Sequence, residues 1–244
     1  MLLSGALSLV SASALAAPEN GLYLSGKAGV GIMNLGDQSL SYRSDVIPSD
    51  FGSKRDNNFA GSLAAGYDFH PQFDVPMRVE LEYTGYGKAN ANNGVTYNEA
   101  SFGYPDYEGK KENSLEVQLQ TVLLNAYWDI HNSTPFTPWV SAAMGFSHLS
   151  LDQHTVDSDT QISTGQRDDT TRSGNHSGSS NNFAWAVGAG VNWAITDNVS
   201  MDLSYRYVDA GEVEANYTTR RGASETAKVS VTSNDVLLGV RYTF

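Results

Sequence analysis

Residues 236–244 constrain the fold more than any other part of this sequence. Side chains of a β-strand alternate between its two faces with period two. One predicted face is wholly apolar and ends on two aromatic residues: Val236, Leu238, Val240, Tyr242 and Phe244. The other face carries small, polar or charged residues, including Gly239 and Arg241. A strand with these two faces is typical of a transmembrane β-barrel, which contacts lipid outside and has a polar interior.

Seven earlier segments repeat this alternation. The sharpest is 77–84, where apolar residues alternate with Arg, Glu, Glu and Thr. Such alternation over several residues indicates a strand with two unlike faces. The eight predicted strands span about residues 22–34, 58–69, 77–84, 114–131, 139–149, 182–194, 199–207 and 236–244.

The connectors between these segments alternate between short and long. The short ones are 70–76, 132–138 and 195–198, and the long ones lie near 36–57, 90–113, 150–181 and 211–227. Outer-membrane barrels have short periplasmic turns and longer extracellular loops. The sequence therefore predicts an all-β fold: an eight-stranded antiparallel transmembrane β-barrel with four long extracellular loops. Residues 116–120 reverse the apolar pattern, which indicates either a projection beyond the bilayer or a β-bulge.

Aromatic residues cluster towards the two ends of the predicted strands. Near the short turns we expect one belt: Phe69, Phe73, Trp128, Trp139, Trp193, Tyr242 and Phe244. Towards the long loops we expect a second: Tyr83, Phe146, Phe183, Tyr205 and Tyr207. Two such girdles are typical of barrels in a bilayer.

The N-terminal residues and the composition indicate export. Residues 1–16 are short, largely apolar and end in the small-x-small pattern Ala14-x-Ala16, so we expect a signal peptide, with 17–244 as the barrel domain. The absence of cysteine excludes disulfides and thiolate chemistry. A net charge of -12 argues against nucleic acid as a partner.

Ten charged residues are expected to face the barrel interior. They are Lys27, Asp68, Arg78, Glu80, Glu82, Asp129, Asp202, Arg206, Asp235 and Arg241. An ion path and a packed polar core are both compatible with this set. An eight-stranded barrel is only wide enough for its own side chains, which favours the packed core and predicts small or absent conductance.

Two other groups of residues are candidates for chemical sites. His148, Ser150 and Asp152 share one strand face, but sequence alone supplies neither their geometry nor an oxyanion donor. Asp152, His154, Asp157 and Asp159 match neither zinc nor EF-hand spacing. We therefore expect no enzyme, no cofactor and no metal site, with lipid A modification as a distant alternative.

The long loops are the remaining functional candidates. Aromatic residues among polar neighbours often dominate protein interfaces, and the first two loops contain six: Tyr42, Phe51, Tyr97, Phe102, Tyr104 and Tyr107. Binding residues also tend to lie on loops held by a rigid scaffold. These loops either bind a partner or only shield the barrel, and composition does not distinguish the two.

Three parts of the sequence resemble the opacity-protein family of small outer-membrane barrels: 21–30, 125–129 with 137–140, and 239–244. The resemblance implies a surface-exposed protein in a family that includes adhesins and is often labelled porin. It also implies that Val240, Tyr242 and Phe244 form the signal for the barrel-assembly machinery. Expected partners are outer-membrane lipid, lipopolysaccharide and a host receptor or matrix ligand. A small porin is the alternative function.

Overall fold

The computed structural model describes residues 21–41, 53–98, 107–165, 172–218 and 224–244. They form nine strand segments: β1 (Leu22–Ser41), β2 (Lys54–Asp68), β3 (Met77–Tyr86), β4 (Ala89–Asn98), β5 (Tyr107–Asp129), β6 (Phe136–Gln161), β7 (Arg172–Ala194), β8 (Val199–Thr218) and β9 (Ser224–Thr243). One helical turn, α1 (His70–Phe73), connects β2 to β3. No helix within these ranges is long and apolar enough to cross a membrane.

The strands form one closed antiparallel barrel with eight passages. Neighbours follow the order β3-β2-β1-β9-β8-β7-β6-β5. Because β3 also pairs with β5, every strand in this order has two neighbours and the sheet is a complete cylinder. The segments β3 and β4 belong to one passage, because both pair with β5: Gly85 lies opposite Gln120, and Ala89 lies opposite Val117. The predicted eight-stranded antiparallel barrel is confirmed.

The strands are much longer than the alternation predicts. Much of each region assigned to a long loop (36–57, 90–113, 150–181 and 211–227) is strand, so those assignments were wrong in the described parts. The ladder between β5 and β6 runs without a register shift from Asp129 opposite Trp139 to Tyr107 opposite Gln161. The reversed pattern at 116–120 is therefore a projection of the strand and not a bulge. Asn, Ser and Gln on its outer face resemble loop composition because that face meets water.

Apolar side chains cover the outside of the barrel from the short turns to the row that contains Val122, Phe146 and Phe183. The exposed ones include Leu24, Val30, Leu63, Leu81, Tyr83, Val122, Leu124, Val140, Met144, Phe146, Phe183, Leu203, Tyr205, Val236, Leu238 and Val240. A soluble protein does not expose an apolar belt of this extent, whereas lipid requires one. We call this part of the structure the lower barrel. Its outward faces agree with the predicted alternation.

Trp139 is an exception to the predicted aromatic belt. Its side chain is 5% exposed and lies inside the lumen, where the indole Nε1 donates to Asp202 Oδ1 at 2.8 Å. Val140 faces lipid, so strand alternation turns Trp139 inward. Gly190 provides the space, since a Cβ there would lie 2.4 Å from the indole ring.

Beyond the lower barrel the wall separates into two sheets. Pairing of β2 with β3 ends at Ala60 opposite Tyr86, and pairing of β7 with β8 ends at Trp185 opposite Asp209. Further out, β2-β1-β9-β8 forms one sheet and β4-β5-β6-β7 forms the other. We call these two sheets the distal sandwich.

A backbone irregularity marks the start of each separation. One is the break between β3 and β4 at residues 87–88. The other is a register shift in β8 between Asp209 and Glu212, where Gly211 has φ +79°. Glycine adopts this left-handed conformation without the steric cost that a Cβ imposes. A bulge bends its strand, which here leads β8 away from β7.

Apolar side chains fill the space between the two distal sheets. The first sheet contributes Met33, Leu35, Val213, Val229 and Val231, and the second contributes Leu115, Val117, Leu119, Leu149 and Leu151. All of them are 5% exposed or less. The projecting part of the protein therefore has its own hydrophobic core, like that of a two-sheet sandwich.

Candidate functional site

The lumen of the lower barrel contains a connected set of ion pairs. Lys27 Nζ lies 2.7 Å from Glu80 Oε1 and 2.5 Å from Glu82 Oε2. Glu82 also pairs with Arg206, whose Nη2 lies 2.9 Å from Asp235 Oδ2. These residues come from β1, β3, β8 and β9, so the charges bridge the lumen.

Tyrosine and serine hydroxyls supply further hydrogen bonds to this network. Tyr86 OH donates to Asp235 Oδ2 at 2.7 Å, and Ser233 Oγ donates to Asp235 Oδ1 at 2.5 Å. Tyr127 OH donates to Glu80 Oε1 at 2.9 Å. Buried carboxylates are stable in a protein interior only when such donors and opposite charges surround them.

Arg78 and Asp129 form a separate pair nearer the short turns. Arg78 Nε and Nη2 donate to the two Asp129 carboxylate oxygens at 2.6 and 2.9 Å. The guanidinium carbon also lies 4.5 Å from the centroid of the Tyr127 ring. Both charged side chains are buried, at 2% and 5% exposed. Bidentate geometry and stacking fix this arginine in one orientation.

The last three predicted interior residues lie towards the short-turn end. Asp202 accepts from Trp139, and its other oxygen accepts from Asn192 Nδ2 at 2.9 Å. Arg241 Nε donates to Ser200 Oγ at 3.2 Å. Asp68 is only half-buried, and its Oδ1 accepts from the backbone N–H of His70 at 2.9 Å. Asp68 thus orders the turn between β2 and β3.

Two layers obstruct the lumen. The lower layer is the ion-pair network, in which Glu82 and Asp235 are 0% exposed. The upper layer is the apolar core of the distal sandwich. Among the described residues, these two buried layers lie across the lumen, whose width in an eight-stranded barrel is only enough for its own side chains.

His148 and Ser150 come within reach of each other on the outside of β6. Ser150 Oγ lies 3.4 Å from His148 Nε2, and His148 Nδ1 lies 2.7 Å from Asn181 Oδ1. Asp152, grouped with them from the sequence, instead lies opposite Glu116. Here β6 pairs with β5 and β7 on its two sides, so its backbone N–H groups belong to the ladders. The arrangement is a hydrogen-bonded row at the upper edge of the lipid-facing belt, without an assembled oxyanion site.

The aromatic residues predicted for loop binding fall into two groups. Tyr42, Phe51, Phe102 and Tyr104 lie outside the described residues. Tyr97 and Tyr107 belong to strands and not to loops, because their backbones pair with Gly109 and Gln161. Among the residues that the structure describes, no cluster of three His, Asp or Glu side chains is arranged to hold a metal ion.

The final strand closes the barrel against the first. Val240 lies opposite Gly26, and the backbone N–H of Phe244 donates to Leu22 O at 2.9 Å. The rings of Tyr242 and Phe244 meet edge to face, with centroids 5.1 Å apart. Val240 and Tyr242 are exposed on the lipid-facing surface. The three residues proposed as an assembly signal thus lie together at the closing seam.

Comparison with known proteins agrees with this geometry. The family model described as "Outer membrane protein beta-barrel domain" matches residues 2–244. The chain belongs to this family. The outer membrane protein PagN of Salmonella typhimurium is 34% identical over 242 residues, covering 97% of this chain and 95% of PagN.

A more distant relative in sequence agrees with the resemblance drawn from the strands. Opacity protein V28 of Neisseria gonorrhoeae is 24% identical over 223 residues, covering 82% of this chain and 84% of the relative. Neisserial surface protein A has a similar solved structure, with TM-score 0.47, 19% identity, and coverage of 92% and 97%. The protein is an opacity-like outer-membrane barrel, with short periplasmic turns and long hairpins at the cell surface.

Proposed function

We propose that this protein is an adhesin, whose distal sandwich holds the loop tips rigidly above the lipid so that they bind a host receptor or matrix ligand. The observation that carries the proposal is the apolar core between the two distal sheets. A barrel that only anchored itself in lipid would not need a second core outside the membrane. Family membership and the similarity to PagN and opacity proteins support this function.

The dimensions of the distal sandwich suit this role. Phe146 is the outermost lipid-facing residue of β6, and the strand continues to Gln161. At about 3.3 Å per residue this continuation is about 50 Å long. A strand tilt of about 40° reduces its height above the lipid to about 40 Å. The tips therefore stand well clear of the bilayer surface.

Rigidity of the distal sandwich also favours binding. Loops that are ordered only on contact lose conformational entropy at that moment, which weakens affinity. Paired strands and a packed core incur that cost during folding. Side-chain hydrogen bonds connect the two distal sheets at both of their edges. Asp56 Oδ2 accepts from the backbone N–H of Asn90 at 2.7 Å, and Asn182 Nδ2 donates to Glu212 O at 2.6 Å.

Replacement of single tips tests the adhesin function. One variant replaces the tip residues 99–106, which include Phe102 and Tyr104, together with the first strand residue Tyr107, by an Asn-Gly turn between Asn98 and Glu108. These two residues are opposite each other, and Asn-Gly closes a two-residue hairpin. The matched control replaces 219–223, which contains no aromatic residue, between the paired Thr218 and Ser224.

Binding of whole bacteria to cultured epithelial cells and to immobilised matrix is then compared. We expect the first variant to lose most of the binding and the control to retain it. Surface labelling and the resistance of the folded barrel to unfolding in SDS confirm insertion. The proposal is rejected if correctly inserted variants keep full binding when each of the four tips is replaced in turn and also when all four are replaced together.

The obstructed lumen separates this function from a pore. Because ion pairs and an apolar layer fill the interior, we expect small or absent conductance in planar bilayers. Large, stable openings would favour the porin alternative. We assign no enzymatic activity.

We also propose that export and assembly use the two chain termini. Residues 1–16 act as a cleaved signal peptide, and Val240, Tyr242 and Phe244 act as the signal for the barrel-assembly machinery. An intact mass of the outer-membrane form that begins at Ala17 supports the first assignment, and a retained Met1 contradicts it. Phe244→Ala should lower the inserted amount at equal expression, and an unchanged amount contradicts the second assignment.

A further inference from the structure

A polar hollow of about 440 Å³ lies on the outer face of the distal sandwich. Strands β4, β5, β6 and β7 form its floor. Six side chains on these strands surround it: Asn90, Asn92, Ser114, Asp152, His154 and Ser177. All six are exposed to solvent. We propose that this hollow binds a neutral saccharide.

Strand register holds these side chains in two adjacent rows. Asn90 lies opposite Glu116, which lies opposite Asp152, and Asp152 lies opposite Ser177. In the next row Asn92, Ser114 and His154 are opposite one another in turn. Continuous ladders across four strands fix the spacing of both rows. The site is therefore pre-formed, and little ordering is required when a ligand binds.

The chemistry of the hollow suits a ligand rich in hydroxyl groups. Amide, hydroxyl and imidazole groups can both donate and accept hydrogen bonds, and carboxylates accept them. A sugar hydroxyl also does both. Pockets for ordinary small molecules are lined mainly by apolar side chains. Here Leu115 is the apolar lining residue, and its side chain is buried in the sandwich core.

The charge of the hollow selects against anionic sugars. Glu116 contributes to the lining, and its Oε1 lies 2.6 Å from Lys88 Nζ, so that pair is neutral overall. Asp152 adds a further carboxylate to the same row. Sulfate or phosphate groups on a sugar chain would be repelled by this surface. Neutral hexoses fit the site better.

The height of the hollow restricts where the saccharide comes from. Val122 is lipid-facing, and Glu116 lies about 20 Å further along β5. The hollow thus opens into the layer just outside the lipid. Two sources supply neutral sugars there: the core oligosaccharide of surrounding lipopolysaccharide, and a glycan on another cell. The recognition chemistry is the same for both.

Saturation-transfer NMR on the full-length folded protein in nanodiscs tests the proposal. The neutral probes are an outer-core hexose oligosaccharide free of phosphate and of sugar acids, and lacto-N-neotetraose; a heparin oligosaccharide is the anionic comparison. We expect at least one neutral probe to bind, and the double variant Asn92→Ala/Asp152→Ala to weaken it at least tenfold. Ser179→Ala is the matched control, because Ser179 is exposed on the same sheet and is not part of the hollow.

The two neutral probes distinguish the sources. Binding of the core oligosaccharide alone indicates lipopolysaccharide, and binding of lacto-N-neotetraose indicates a glycan of another cell. Failure of both neutral probes, preference for heparin, or binding that survives the double variant would overturn the inference. The saccharide proposal and the adhesin proposal can fail separately, because the variants that replace the loop tips leave all six residues of the hollow in place.

Discussion

Replacing Arg78 with methionine should destabilise the barrel far more than removal of a surface charge. The Asp129 carboxylate is 5% exposed, and its side-chain donors in the structure are the two Arg78 nitrogens at 2.6 and 2.9 Å. Methionine has similar length but no donor, so an uncompensated charge would remain buried. Breaking a buried pair in this way costs about 3–5 kcal/mol. This corresponds to a change of roughly 100- to 4,000-fold in the unfolding equilibrium, at about 1.4 kcal/mol per factor of ten.

Urea unfolding in lipid vesicles measures this effect, with Lys88→Met as the matched control. Lys88 pairs with Glu116 at the surface, with 57% of its side chain exposed, so its loss should leave the midpoint unchanged within error. The double variant Arg78→Met/Asp129→Leu removes both charges and should recover most or all of the stability. A loss of less than about 1 kcal/mol in the single variant, well below the expected range, would refute the reasoning. So would a double variant less stable than the single one.

Three further predictions concern packing and lipid contact. Gly190→Ala should lower the free energy of unfolding in urea by about 1–3 kcal/mol, because its Cβ would overlap the buried ring of Trp139. Gly85→Ala should be tolerated, because the nearest atom to its Cβ would be 3.9 Å away. Equal unfolding midpoints for the two variants would contradict this prediction. Leu149→Ala should cost about 2–5 kcal/mol, seen as faster hydrogen exchange confined to the distal sandwich; unchanged exchange there would argue against a tight core. Leu124→Arg should cost about 2–4 kcal/mol in lipid, while Gln120→Arg should have little effect; similar costs would misplace the lipid boundary.

The lower barrel could be predicted closely from the sequence because lipid imposes a period-two pattern on each strand. The outward faces at Leu81 and Leu124 and the inward positions of Arg78 and Asp129 all follow from alternation. Alternation does not specify which of the inward-facing charged residues form ion pairs with one another. Arg206 meets both Glu82 and Asp235 only after β3, β8 and β9 close into a cylinder, and no local pattern specifies that closure.

The distal strands escaped prediction for a different reason. Outside the lipid, an outward-facing residue meets water, so Asn, Ser and Gln replace Leu and Val at the same strand positions. Composition then resembles a loop although the ladder between β5 and β6 continues to Tyr107 and Gln161. The apolar residues on the other face, such as Leu149 and Leu151, signal a strand. This alternation predicts a strand if the apolar face is assumed to point outward within the lipid and inward beyond it.

The level at which the faces change marks the outer boundary of the lipid. One row across three strands is apolar and exposed: Val122, Phe146 and Phe183. The next row outward is polar: Gln120, His148 and Asn181. Inside the barrel the change has the opposite sense. The last inward row at lipid level contains the buried polar residues Thr121 and Ser147, and the next inward row outward contains the buried apolar residues Leu119 and Leu149.

Along β5, β6 and β7 the alternation of inward and outward residues is unbroken across this level, so only the surroundings differ. At the level of the lipid, polar side chains collect in the lumen because they cannot face lipid, and they lie there beside small or buried apolar residues such as Leu123 and Ala184. Beyond the lipid, water restores the hydrophobic driving force and apolar side chains move to the inside. A closed cylinder with a polar lumen then becomes two sheets with an apolar core, and the wall separates at residues 87–88 and at Gly211, just beyond the change. The same eight passages therefore suit lipid along the lower barrel and water along the distal sandwich, and the distal sandwich supports the proposed binding surface.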